Sequence, residues 1–162
     1  MGADLCALVR RDHDDLDAAL GAMVNPATAP KELANLLEIF RLALAVHTAT
    51  ETRILAALVR RVSGPRTLRL IADQCRMEHL EQRSAADALT MLRPGSIAWY
   101  EGALELRITV LDHTTRGEYS RWTLHDHVPI ELQRAIASEY ATERMRVLAS
   151  TSPIREAARA IA

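Results

Sequence analysis

Four of the six histidines, His13, His47, His79 and His113, fall on apolar stripes that repeat with helical period. His13 lies between Val9 and Leu16, and His47 between Leu44 and Glu51. Glu51 follows His47 by four residues, so both side chains leave the same face of a helix. Cys75 precedes His79 by four, again on one face. Glu118 follows His113 by five, which turns it about 140° around the axis and brings it to the same region from the side. A carboxylate in an apolar core is costly unless it is paired or binds a metal ion. Imidazole together with carboxylate suits iron, manganese or zinc. One histidine on an apolar stripe is usually a hydrogen-bonded core residue. Four of them at one level, with two glutamates, point to a metal site. The thiol of Cys75 has two readings, a thiolate ligand or a small buried hydrophobe, and the sequence leaves both open.

Those side chains need long helices to position them, and the breakers are placed to allow it. Asn25-Pro26 to Pro30, Ser63-Gly64-Pro65, Arg93-Pro94-Gly95-Ser96, His127-Val128-Pro129 and Thr151-Ser152-Pro153 divide the chain. The segments between them are too long for strands. The periodicity predicts helices over about 3–24, from Pro30 to Val62, from Arg66 to Leu92 and from after Ser96 to about Leu124. A shorter one follows over about 129–148. Pro30 suits a first helical turn, and Ser96 suits an N-cap. Short connections imply antiparallel neighbours. The expected fold is therefore all-α, an up-down-up-down four-helix bundle with an additional C-terminal helix, in one domain of 162 residues.

Heights along the helices agree in part. His47 lies 15 residues before Val62, and His79 lies 13 after Arg66, a mismatch of about 3 Å. From His79 to Leu92 is 13 residues and from Ser96 to His113 is 17, a mismatch of about 6 Å. The first pair matches worst, with 11 residues from His13 to Val24 against 17 from Pro30 to His47. Loops and helix overlap can absorb such offsets.

Composition narrows the function classes. Aromatics are only 4% of the chain, which favours helices over sheets. Lys31 is the only lysine among 20 basic residues, yet the net charge is −1 and the arginines are scattered, which argues against a nucleic-acid partner. No uncharged apolar run reaches the roughly 18 residues of a membrane span, and Asp4 and Arg10-Arg11-Asp12 interrupt any signal-like segment. Two cysteines make no disulfide framework, so a cytoplasmic setting is expected. His125 and His127, at a helix junction, read as solvated histidines. The run Asp12, Asp14, Asp15 and Asp17 reads as a solvated face. Trp99, Tyr100, Tyr119 and Trp122 read as packing residues.

The residues Asp12-His13-Asp14-Asp15-Leu16, His47-Thr-Ala-Thr-Glu51, Glu78-His79-Leu80 and His113-Thr-Thr-Arg-Gly-Glu118, one group per helix, resemble the hemerythrin family, including the bacterial hemerythrin-like (HHE cation-binding) domains. The resemblance covers about residues 3–124. It implies two iron ions bridged by carboxylates and an oxo or hydroxo group, with manganese or zinc as other occupants. It implies His13 and His47 as ligands of one metal, His79 and His113 as ligands of the other, and Glu51 and Glu118 as bridges. The chain departs from the oxygen-carrying members at Cys75, where they have the first histidine of an HxxxH pair. It also has Glu118 where many have aspartate. A ferritin-like di-iron bundle would need a Glu-x-x-His pair on each of two helices, and this chain has none.

Three functions of different kind follow. The resemblance implies a non-heme di-iron protein that binds or reacts with dioxygen or a related small oxidant such as nitric oxide or peroxide. The alternatives are a di-iron oxidase, oxygenase or peroxide-decomposing enzyme, and a metal-poor bundle with a regulatory role. No catalytic residue or organic substrate is legible in the sequence.

Overall fold

The computed structural model describes the backbone of residues 4–62 and 66–151, and the side chains within those spans except at 118–127 and 151. Five helices account for almost all of it: α1 Leu5–Met23, α2 Pro30–Arg61, α3 Arg66–Leu89, α4 Ile97–His127 and α5 Ile130–Thr151. No strand occurs among the described residues. The starts of the helices follow local chemistry. Asp4 caps α1 by accepting from the Cys6 N–H at 2.9 Å, and Ser96 Oγ accepts from the Trp99 N–H at 3.2 Å. Pro30 occupies the first turn of α2, where its missing N–H costs nothing. Three ends differ from the expected ones, and the last helix, α5, runs on to Thr151. Helix α3 stops at Leu89, where Thr90, Met91 and Leu92 turn back on the carbonyls three residues before them. Helix α4 runs on through His127 until Pro129 interrupts the backbone pattern.

Helix α1 packs against α2, α4 and α5; α3 packs against α2 and α4; and α5 lies on α1 and α2. The contacts thus close a ring through α1, α2, α3 and α4, with α5 laid across one side. Buried apolar residues form two clusters. One holds Leu16, Leu20, Phe40, Leu44, Leu89 and Trp99 among others. The other holds Val9, Ile54, Leu58, Cys75, Ile136 and Tyr140 among others. Helices α1 and α3 enter at the second cluster and leave at the first. Helix α2 runs the opposite way. The four histidines fall where each helix passes out of the first cluster or into it.

The length offset between α1 and α2 is absorbed at the far end. Leu33 and Leu37 share a cluster with Met23, and the start of α2 meets the turn between α3 and α4. At that turn Gly95 adopts a φ of 81°, and a Cβ there would lie 3.3 Å from Pro30 Cγ. Both the left-handed backbone and the close approach call for glycine.

Helix α2 is long and apolar enough to cross a bilayer by length and composition, but 50% of its most apolar 18-residue window is buried within the protein. Its inward face carries His47 and Glu51, which face the other helices.

Helix α5 is held partly by burial of Ile136 and Tyr140 and partly by charge. Tyr140 Oη donates to Asp12 Oδ2 at 2.7 Å, and Arg144 Nε donates to Asp12 Oδ1 at 2.8 Å. Arg61–Glu139 at 2.6 Å and Arg53–Glu143 at 3.3 Å tie it to α2. The last two are surface pairs worth about 0–1 kcal/mol each. The Asp12 bonds are inside the protein and matter more. Asp12 therefore corrects the expectation of a solvated face: it is 6% exposed because α5 covers it. Asp14 and Asp15 do face solvent, and Asp17 pairs with Arg107 at 3.0 Å.

Candidate metal centre

The one-per-helix histidines meet in a single layer. His13, His47, His79 and His113 are all buried, at 4% exposure or less. Ring centroids are 4.8 Å apart for His13–His47 and for His79–His113, and 5.3 Å for His47–His79 and His13–His113. His47 and His113 approach to 5.8 Å across the middle, so the figure is a rhombus; three neighbouring pairs meet edge to face and His79–His113 is tilted.

Glu51 is at its centre, carried there by the turn of helix that separates it from His47. Its Oε2 lies 3.1 Å from His79 Nε2, 3.3 Å from His47 Nε2 and 3.5 Å from His113 Nε2. One carboxylate oxygen thus faces imidazoles from three helices. Two groups of side chains place one ligand atom each within 4.8 Å of one another: His13, His47, Glu51 and His113, and Glu51, Cys75, His79 and His113. Glu51 and His113 belong to both, so the two groups share a wall. Cys75 Sγ lies 3.5 Å from Glu51 Oε2 and 3.5 Å from His79 Nε2, which places the thiol in the second group.

The nitrogens that point inward lack ordinary partners. Both ring nitrogens of His47 and Nε2 of His113 are buried without a hydrogen bond among the described residues. Buried polar atoms of that kind are rare and ask for an explanation. A cation between them supplies one, because a neutral imidazole nitrogen and a carboxylate oxygen are both lone-pair donors. The residues present therefore fit a metal ion.

The outer sides of the rings are oriented as metal ligands require. His113 Nδ1 donates to Glu78 Oε2 at 2.8 Å, leaving Nε2 to face Glu51. Glu78 is itself fixed by Gln74 Nε2 at 2.9 Å and by Arg116 Nη1 at 3.4 Å. His79 Nδ1 lies 3.1 Å from Thr52 Oγ1; a proton on Nδ1, donated to that oxygen, frees Nε2 toward the layer. Outer partners of this type set the tautomer and angle of a ligating imidazole.

Electrostatics follow from the same packing. Burial opposes the charge on Glu51, but the imidazoles of His113 and His79 facing its oxygen outweigh it and hold its carboxyl well below the usual range. Burial drives His47 well below its ordinary value; the Glu51 charge opposes this, and the other three histidines reinforce it. For His113 burial is outweighed by Glu51 and Glu78, and its pKa is raised. The Cys75 thiol is pushed far up, first by burial and then by Glu51, so in the metal-free protein it is protonated.

A cavity of ≈ 40 Å³ adjoins the layer beneath α5, walled by Val9, Ile54, Leu58, Ile136 and Tyr140, with Glu51 on one side. A water needs about 10–15 Å³ of such space, so a few small molecules fit. The aliphatic walls favour nonpolar ones.

Of the residues expected from the sequence, His13, His47, Glu51, His79 and His113 come together, and Cys75 joins them. The side chain of Glu118 lies outside the described residues, as do those of His125 and His127. From the sequence Glu78 figured only as part of a motif and Asp12 as part of a motif and a solvated face; neither was expected to support the centre. The available signal was their position beside His79 and His13, but a neighbour of an inward residue points sideways, and only packing decides what it meets.

Comparison with protein-family models, with curated proteins and with solved structures finds no match. The reading of this centre therefore rests on its own geometry and chemistry.

Proposed function

We propose that the chain is a hemerythrin-like non-heme di-iron protein that binds or reacts with dioxygen or a related small oxidant such as nitric oxide or peroxide. The observation that carries the reading is the placement of Glu51. Its oxygen is shared by two overlapping groups of buried imidazoles, as a carboxylate bridge between two cations would be. The alternation of the two apolar clusters along α1, α2 and α3 supports an up-down-up-down four-helix bundle with α5 added outside it.

Iron in such a site supplies reversible electron transfer to an oxidant. The protein's residues do the rest. His13 and His47 would hold one ion and His79 and His113 the other, with Glu51, and by the family resemblance Glu118, as the carboxylates they would share. Glu78 holds the proton of His113 Nδ1 so that Nε2 stays available. The aliphatic cavity beside Glu51 admits a small nonpolar molecule and disfavours bulk water.

The test is anaerobic reconstitution with ferrous iron, then exposure to air in a spectrophotometer. The proposal expects an absorption change that needs iron and is lost in Glu51→Ala. A long-lived oxygenated spectrum marks a binding protein, and steady consumption of peroxide marks a catalyst. An iron-loaded protein whose spectrum is indifferent to dioxygen, nitric oxide and peroxide would overturn it.

A further inference from the structure

A second feature lies on the outer side of His79. Helices α2 and α3 part there to leave a groove of ≈ 310 Å³, within the size range of small-ligand sites. The α3 wall carries Arg76, Leu80 and Arg83, spaced four and three residues apart and so on one face. The α2 wall carries Ala49, Arg53 and Ala56. Small side chains thus stand opposite long cationic ones, which opens the groove. Thr52 and the edge of His79 form its inner end.

The charge in this groove is one-sided. Its lining includes three arginines and no carboxylate. Arg53 reaches Glu143 at 3.3 Å on the rim, whereas Arg76 and Arg83 form no ion pair with any described residue. The chain as a whole has a net charge of −1, and other arginines, Arg41, Arg107 and Arg144 among them, are each paired with a carboxylate. Two exposed guanidinium groups without ion pairs flank a leucine beside the half-buried Thr52 hydroxyl and the His79 ring, a setting that suits an anion.

We propose that the α2–α3 groove binds an oxyanion, a carboxylate or phosphate group held by Arg76 and Arg83 with its body on Leu80, Ala49 and Ala56. Guanidinium groups match such oxyanions with paired, charge-assisted hydrogen bonds. An anion there also accepts the hydroxyl proton of Thr52, whose oxygen in turn accepts from His79 Nδ1. The bound group thereby reinforces the tautomer that His79 needs. This site depends on the arginines and the groove, and not on the metal ions.

The experiment uses the full-length chain stripped of metal, so that no anion can bind to a cation. Inorganic phosphate and benzoate are titrated at constant ionic strength, with chloride as the control, and followed by amide chemical shifts and calorimetry. Saturable binding of either oxyanion is expected, with shifts at Thr52 and Leu80. The double variant Arg76→Gln, Arg83→Gln is expected to weaken it about tenfold or more while its circular dichroism stays unchanged. Preference for benzoate identifies the apolar floor as part of the site; preference for phosphate identifies the charge alone. Absence of saturation with both probes, shifts reproduced by chloride, or equal binding by the double variant overturns the proposal. The metal content of the same variant, measured separately, reports on the metal centre independently.

Discussion

Among the described residues Glu78 hydrogen-bonds one histidine of the layer, His113, and through it should influence metal binding. Its Oε2 accepts the Nδ1 proton of His113 at 2.8 Å inside the protein. Changing Glu78 to Gln keeps the shape and leaves a neutral acceptor. A hydrogen bond to a charged group is worth about 1.5–3 kcal/mol and a neutral one about 0.5–1.5, so the loss is about 1–1.5 kcal/mol. That corresponds to roughly a tenfold weaker hold on the ion that His113 serves. Glu78→Ala removes the acceptor altogether, and losses of 10–100-fold are typical for an outer partner of a ligating histidine. A competitive titration against a chelator, resolving the two binding steps, measures both variants. The expected order is wild type, then Gln, then Ala, with one step affected more than the other. The 15N shifts of His113 in the metal-free protein should show Nδ1 losing its fixed proton in the Ala variant. If both variants bind metal as the wild type does, His113 is oriented by packing alone and the reasoning fails.

Three further outcomes are expected. Tyr140→Phe leaves the buried Asp12 carboxylate short of a donor, at a cost of about 1–3 kcal/mol, and calorimetry should show Tm falling by about 2–4 °C per kcal/mol; an unchanged Tm would mean α5 is not held through Asp12. Cys75→His puts a bulkier ring in a full site, so the metal-free variant should melt lower by about 1–3 kcal/mol, while the metal-loaded one should hold its ions more tightly and keep any oxygenated form longer; identical metal affinity and lifetimes would show that Cys75 only packs. In the metal-free protein His47 and His113 should have pKa values displaced in opposite directions. His47, lowered, stays neutral as pH falls below about 6.5, so folding loses up to about 1.4 kcal/mol per pH unit there. His113, raised, gives stability that is full below about 6.5 and lost as pH rises through its folded value. Imidazole NMR titration separates the two, and coincident titration near 6.5 would contradict the buried layer.

The histidine layer was legible in the sequence because each histidine sits on its helix's apolar stripe, and a stripe must face the core wherever the helices pack. Glu51 and Cys75 were legible for the same reason, each being one turn from a histidine. Glu78 and Asp12 were not, since each is about 100° around the helix from its neighbouring histidine. That direction leads to solvent or to another helix according to packing. For Asp12 the deciding partners, Tyr140 and Arg144, lie at the other end of the chain on α5, a helix whose docking position no periodicity fixes. The level of the layer was also hard to read from α1, because the start of α2 extends toward Gly95 instead of lying alongside α1.

The most direct test of the central claim is metal stoichiometry. Purified protein is reconstituted anaerobically with ferrous iron, freed of unbound ion and subjected to elemental analysis, with Glu51→Ala in parallel. The account predicts close to two iron ions per chain in the wild type and a clear loss in the variant, because one carboxylate serves both groups of ligands. Less than half an ion per chain, or the same content in both proteins, would contradict it.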